Sequence, residues 1–256
     1  MGKAAPRVTV VIPARYGSSR FPGKPLAVLL DKPMIQHVYE RAQQARLVDR
    51  VIVATDDERI MHTVEAFGGD VVMTGTTLRT GTDRVADVAR RVDGECFLNL
   101  QGDEIVLSSD LLTDLIAPFL SSGCAMGTLK RALTEEDDLH NPGVVKVATD
   151  VQGDALYFSR SPIPFVRDRV TTEMLTPGLH FIHLGLYAYT RDTLAQLASL
   201  RTGRLEDAEK LEQLRALEHG IRIRVWETVH GSLRVDAPED LAHAAEVLRG
   251  QHAGTA

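Results

Sequence analysis

Arg15, Gly17, Gly23 and Lys24 fall in one stretch, Arg15-Tyr16-Gly17-Ser18-Ser19-Arg20-Phe21-Pro22-Gly23-Lys24-Pro25, soon after the apolar run Val8 to Ile12. Glycines let a backbone approach a ligand closely, exposed amides cradle an anion, and the cations add charge. That is phosphate-binding chemistry. The stretch is not a P-loop, because five residues separate Gly17 from Gly23 and Pro25 stands where Ser or Thr would follow the lysine. A second polar turn, Thr80-Gly81-Thr82-Asp83-Arg84, precedes a helical pattern, where Thr82 or Asp83 can cap the helix. His183 and Tyr187 share a side of one strand if that strand is regular, since side chains repeat every two residues. Glu212 and Gln213 are polar positions beside the apolar stripe of Leu211, Leu214 and Leu217. No Ser/His/Asp arrangement stands out, and Cys96 opens a buried-strand pattern unsuited to a nucleophile.

The elements that must position these residues alternate in the first half. Val8 to Ile12 is a short β-branched run of the kind buried on both faces. Helical spacing at Met34 to Ala45 leads to a strand at Val51 to Ala54, a helix over Ile60 to Phe67 and a strand at Val71 to Met73. A helix at Val85 to Arg91 and a strand at Cys96 to Leu100 follow. Such alternation predicts βαβ units and a mostly parallel sheet, with ligands outside the carboxyl ends of its strands. The second half predicts an antiparallel extension. Val144 to Thr149 and Ala155 to Ser159 flank a glycine turn, Phe181 to Tyr189 reads as a strand, Leu205 to His219 as one amphipathic helix, and Ile221 to Trp226 as a strand with one wet face.

Composition limits the function. The chain of 256 residues is 44% hydrophobic, and its 29 basic against 35 acidic residues give a net charge of −6, which argues against a nucleic-acid or membrane-surface partner. Two cysteines make no disulfide framework, no apolar run reaches the roughly 18 residues of a membrane span, and Val8 to Ile12 is too short for a signal-peptide core. These features point to the cytoplasm.

The segment V-I-P-A-R-Y-G-S-S-R-F-P-G-K-P-L resembles the signature of the cytidylyltransferases that activate 3-deoxy-manno-octulosonate (Kdo) with CTP, the CMP-Kdo synthetases. The resemblance continues through Ala54-Thr55-Asp56-Asp57, Gly81-Thr82-Asp83-Arg84, Gln101-Gly102-Asp103-Glu104, Asn141-Pro142, Ala155 to Pro164, His183 with Gly185-Leu186-Tyr187, Glu209 to Arg215 and Val235-Asp236. It implies a Rossmann-like sheet of the nucleotide-diphosphosugar transferase type in a single domain. Residues 1–125 would form the nucleotide-binding half, and residues 126–256 the acceptor-binding and dimerisation half of a homodimer. It further implies that Arg15 and Lys24 contact the triphosphate, with Pro13, Ala14 and Gly17 beside it. Thr80, Gly81, Arg84 and Gln101 would read the cytosine, and Asp103 and Asp236 would hold Mg²⁺. Arg15, Lys24 and Asp103 would carry catalysis. Arg160, His183, Tyr187, Glu212 and Gln213 would receive the acceptor.

The match departs from the pattern at Thr80, where Ser is usual, at Ile105, where Pro is usual, and at Gly143, where Asn is common. Arginine outnumbers lysine 23 to 6. That skew suits a GC-rich genome and leaves open the same CTP chemistry on a small phosphonate such as phosphonoformate; a reading of another class is a non-catalytic CTP or sugar sensor on the same fold.

Overall fold

The β-branched runs of the first half become strands with almost no exposed side chain. The protein is described by a computed structural model covering residues 8–17, 21–167 and 175–253; Ser18, Ser19 and Arg20 of the glycine loop lie outside the described residues. Strands β1 (Val8–Ala14), β2 (Val28–Leu29), β3 (Lys32–Pro33), β4 (Arg50–Thr55), β5 (Asp70–Met73) and β6 (Cys96–Asn99) alternate with helices α1 (Met34–Gln43), α2 (Glu58–Ala66) and α3 (Gly81–Ala89). Next come β7 (Glu104–Val106), α4 (Asp110–Ser122), β8 (Met126–Ala132), α5 (Glu136–His140), β9 (Lys146–Thr149), β10 (Ala155–Ser159) and β11 (Phe181–Thr190). Helices α6 (Arg191–Ser199), α7 (Arg204–Glu209) and α8 (Gln213–Glu218), strands β12 (Arg224–Glu227) and β13 (Ser232–Arg234), and helix α9 (Asp240–Ala253) complete the fold.

Strands β5, β4, β1 and β6 run parallel in that order. On the far side of β6 the sheet changes direction: β11 pairs with it antiparallel, setting Tyr187 opposite Asn99. Antiparallel pairings then add β9, β10 and β8, and β12 lies parallel to β8, giving nine strands in one sheet among the described residues. Along β1, Val8, Val10 and Ile12 enter the core shared with α1 and α4, while Val11 enters the one shared with α3, α6 and α8. This period-two alternation buries both faces, and each fully buried Val or Ile contributes ~1.5–3 kcal/mol.

Three expectations are corrected. The helix over Leu205 to His219 is two short helices, because Lys210 adopts a left-handed conformation (φ 53°) between α7 and α8. The break frees the Glu209 carbonyl, which accepts from Arg160 Nε at 2.7 Å. The strand of Val144 to Thr149 begins only at Lys146, whose buried Nζ donates to the carbonyls of Asn141 and Val144. The cap of α3 is Thr80 rather than Thr82 or Asp83. Its hydroxyl accepts from Asp83 N and Asp83 accepts from Thr80 N, each at 3.1 Å, a reciprocal capping box. Among the described residues no helix is long and apolar enough to cross a membrane.

Candidate active site

The end of β1 delivers Pro13 and Ala14 to the sheet's carboxyl edge, and Arg15 follows them there. Gly23 (φ 72°) opens a single 3₁₀ turn over Lys24–Leu26 and so aims Lys24 back toward that edge. Lys24 Nζ lies 2.7 Å from Asp103 Oδ2, 2.9 Å from the Val235 carbonyl and 3.8 Å from Asp236 Oδ1. Two aspartates more than a hundred residues apart meet because β7 and β13 pair antiparallel, with Arg234 opposite Glu104. Val235 N adds a bond to the Asp103 carbonyl at 3.1 Å. The pair also meets Arg234, whose Nε is 3.3 Å from Asp236 Oδ2.

A cavity of about 360 Å³ above this cluster is lined by Pro13, Ala14, Arg15, Gly17, Lys24, Gly81, Gln101 and Asp103. Arg15 Nη2 donates to the Leu78 carbonyl at 2.5 Å, which ties the glycine loop to the approach of α3. Burial and the nearby Arg84 both push the Arg15 guanidinium below its ordinary pKa. Gly102 and Gly81 are small for a reason of space. A Cβ at Gly102 would lie 2.8 Å from the Pro13 carbonyl, and one at Gly81 would lie 2.9 Å from Gln101 Nε2. Gln101 Nε2 in turn donates to Asn99 Oδ1 at 2.9 Å.

A second cavity, of about 410 Å³, adjoins the first at Gln101. Arg160, His183, Tyr187, Glu212 and Gln213 all line it. Strand β11 is not regular: two extra residues stand between Leu184 and Tyr187 opposite the single step from Leu129 to Thr128. An even insertion keeps the alternation, so His183 and Tyr187 still share a side, with ring centroids 5.3 Å apart. Thr128 fills the bulge. Its hydroxyl gives its one proton to the carbonyl of Leu186 at 2.7 Å, so at 3.1 Å it accepts from His183 Nε2 and fixes that tautomer. Burial pushes the His183 pKa down to about 3, which leaves the ring neutral. The Tyr187 hydroxyl is buried without a partner among the described residues, and burial raises its pKa. Glu212 Oε2 accepts from Thr82 Oγ1 at 2.9 Å, drawing the start of α8 onto the start of α3. Arg160 is held by Glu209 and by the Pro142 carbonyl, 2.8 Å from Nη1.

Two residues assigned to the nucleotide lie apart from both cavities. Arg84 is fully buried, with Nη2 2.5 Å from Asp56 Oδ2 and Nη1 2.5 Å from Thr74 Oγ1. It anchors the turn from beneath. Thr80 spends its hydroxyl on the capping box. Glu104, Arg131 and Arg234 line the second cavity without having been assigned there. Glu104 stands inside the quoted Gln-Gly-Asp-Glu motif, whereas nothing in the sequence marks the two arginines. Cys96 is no nucleophile, since burial pushes its thiol up to about 12.

A loop rich in glycine and cations at the end of the first parallel strand, with a second pocket across a shared glutamine, defines a nucleotidyltransferase. Residues 9–223 match the family described as cytidylyltransferase. The 3-deoxy-manno-octulosonate cytidylyltransferases of Geobacter metallireducens and Geobacter sulfurreducens are each 51% identical over 248 residues, spanning 94% of this chain and 98% and 99% of theirs. The structure of a CMP:2-keto-3-deoxy-manno-octonic acid synthetase complexed with CTP superposes with a TM-score of 0.88 at 41% identity, covering 96% of this chain and 99% of that one. The chain belongs to the 3-deoxy-manno-octulosonate cytidylyltransferase family, the CMP-Kdo synthetases.

Proposed function

We propose that the protein transfers CMP from CTP to Kdo with release of pyrophosphate. The observation that carries this reading is the pair of cavities meeting at Gln101, one lined by Arg15 and Lys24 and the other by Arg160, His183 and Tyr187. An acceptor hydroxyl oxygen attacks the α-phosphorus of CTP as its proton passes to water, the bond to the bridging oxygen breaks, and its electron pair leaves with pyrophosphate. Arg15 and Lys24 neutralise the triphosphate, and holding both substrates in line supplies the rest. Gln101, beside the Gly81 turn, offers the adjacent donor and acceptor that suit a cytosine edge. Arg160 faces the acceptor's carboxylate.

Asp103 and Asp236 suit a hard cation. Both are carboxylates, and both already face the ammonium of Lys24. Magnesium commonly takes one or two carboxylates plus substrate phosphates. Held by Asp103 and Asp236, Mg²⁺ would supply charge neutralisation at the phosphates.

The relatives' names support Kdo and give the phosphonate reading no support. A sensor has no use for the Lys24, Asp103 and Asp236 cluster. Pyrophosphate release is expected with CTP, Mg²⁺ and Kdo; release with phosphonoformate but none with Kdo would reverse the assignment of the acceptor. We place the enzyme in the cytoplasm and read it as a homodimer. Val151, Leu156, Phe165 and Leu179 of the second half stand exposed, as a dimer surface requires. Sedimentation at a monomer's mass would refute the dimer.

A further inference from the structure

Asp56 and Asp57 follow directly on β4, and each is bonded into a different half of the nucleotide cavity. Asp56 Oδ2 accepts from Arg84 Nη2 at 2.5 Å and is the one carboxylate that Arg84 meets among the described residues. Thr74 completes the anchorage: its hydroxyl accepts from Arg84 Nη1 and donates to the Thr55 carbonyl at 3.1 Å, and its N–H bonds the same carbonyl at 2.8 Å. A fully buried guanidinium is strongly destabilising once its partner is removed. The position of Arg84, and with it the Thr80-to-Arg84 turn, therefore depends on Asp56. That turn carries Gly81, against which Gln101 rests.

Asp57 caps α2 and grips Arg59 instead. Its Oδ1 accepts from Arg59 N at 3.0 Å and Nε at 2.9 Å, and its Oδ2 from Nη2 at 2.7 Å. The guanidinium so held lies 3.3 Å from the centroid of the Tyr16 ring, a cation–π contact. Tyr16 packs on Gly23, where a Cβ would lie 3.1 Å from the ring, and its carbonyl accepts from Gly23 N at 2.8 Å. Gly23 opens the turn that presents Lys24. The contacts run unbroken from Asp57 through Arg59, Tyr16 and Gly23 to Lys24.

We infer that the two aspartates are positioning residues with separable effects, Asp56 setting which base is accepted through Arg84 and the Gly81 turn, and Asp57 setting how tightly any triphosphate is held through Arg59 and Tyr16. This rests on the CTP-dependent reading above. Neither aspartate lines the cavity, so each acts through another residue.

The test is pyrophosphate release with CTP and with UTP, each at saturating Kdo. Asp56→Asn should lower the ratio of kcat/KM for CTP over UTP by at least about tenfold. Asp56→Glu, which keeps the charge, should recover part of that ratio. Asp57→Asn and Arg59→Ala should raise KM for both nucleotides by about three- to tenfold, with the ratio held within about twofold. Circular dichroism checks folding. Should Asp56→Asn not fold, Asp56→Asn combined with Arg84→Gln removes the charge together with its partner and carries the same expectation. An unchanged ratio in the Asp56 variants overturns the inference, as does a fallen ratio in the Asp57 and Arg59 variants, or failure of both Asp56→Asn forms to fold. A wild-type enzyme that releases no pyrophosphate from CTP overturns instead the reading on which the inference rests.

Discussion

Lys24 is the residue on which both ends of the proposed chemistry converge, since it pairs with Asp103 and Asp236 and also lines the cavity proposed for the triphosphate. Replacing it by Ala removes a cation from the phosphates and leaves two carboxylates facing each other. Lys24→Ala should lower kcat/KM by about 10²–10³, the size of losing a principal electrostatic stabiliser; steady-state pyrophosphate release measures it, and a loss under about threefold would take Lys24 out of the catalytic set. His183 yields a prediction of another kind. Its folded pKa of about 3 lies below the ordinary histidine value, so between those values the unfolded chain binds the proton that the folded chain refuses. Its contribution is at full strength above about pH 6.5 and is lost as pH falls toward 3. From pH 7 to pH 5 wild type should therefore lose ~1–2 kcal/mol more stability than His183→Gln, judged by denaturant unfolding at both pH values. Equal losses would show that the ring is not held neutral. The sequence singles out Lys24 and His183, and each lines a cavity. What was not legible was which of the Thr80 to Arg84 residues face outward, because an arginine at a helix start looks the same whether it meets a ligand or a buried Asp56.

At the scale of elements, a three-residue strand pair joins the metal-binding candidates. β7 and β13 are too short to show any periodicity, so although Asp103 and Asp236 each stood out in sequence, the pairing that unites them did not. Strand β8 has no clear sequence signal for a related reason: Gly127 and Thr128 interrupt its apolar pattern. The glycine makes room for Trp226, whose Cζ3 would be 2.5 Å from a Cβ there, and Thr128 supports the bulge of β11. The broken helix at Lys210 carries no sequence signal, since lysine is an ordinary helix former. The start of α3 shows how an element can be tuned for a site at its own expense. Gly81 occupies its first position, where Ala is favoured by up to ~1 kcal/mol. The atoms nearest the Cβ of Gly81→Ala would be those at the end of the Gln101 side chain, which can swing away. Thermal unfolding of Gly81→Ala should thus be unchanged or raised, while KM for CTP rises about tenfold as Gln101 is displaced. A fall in stability with unaltered KM would mean that Gln101 does not need the glycine.

Across the whole molecule, the site sits at β6, where the sheet turns from parallel to antiparallel. Parallel pairing brings the loop after β1 beside Gln101, and antiparallel pairing on the other side brings His183 and Tyr187 of β11 to the same end of β6. The change from parallel to antiparallel was readable from the alternation of the first half and the hairpin of the second. That the change falls at β6 was not, because the sequence pattern does not say which strands pair. This placement makes a test of cation dependence independent of turnover. CTP bound to the folded state alone should stabilise it by about 2.7 kcal/mol at a hundredfold excess over Kd. Its phosphates would enter beside Asp103, 23% exposed, and Asp236, 30% exposed, with Lys24 as the counter-charge beside Asp103 and Arg234 and Lys24 as those beside Asp236. Chelating divalent cations leaves those carboxylates to repel the triphosphate. The CTP-induced rise in melting temperature should then shrink with EDTA and return with added Mg²⁺. In Asp103→Asn/Asp236→Asn the rise should become nearly independent of Mg²⁺, because the repulsion and the cation site have been removed together. A rise that EDTA leaves intact in wild type would show that the nucleotide is held without a cation at these aspartates.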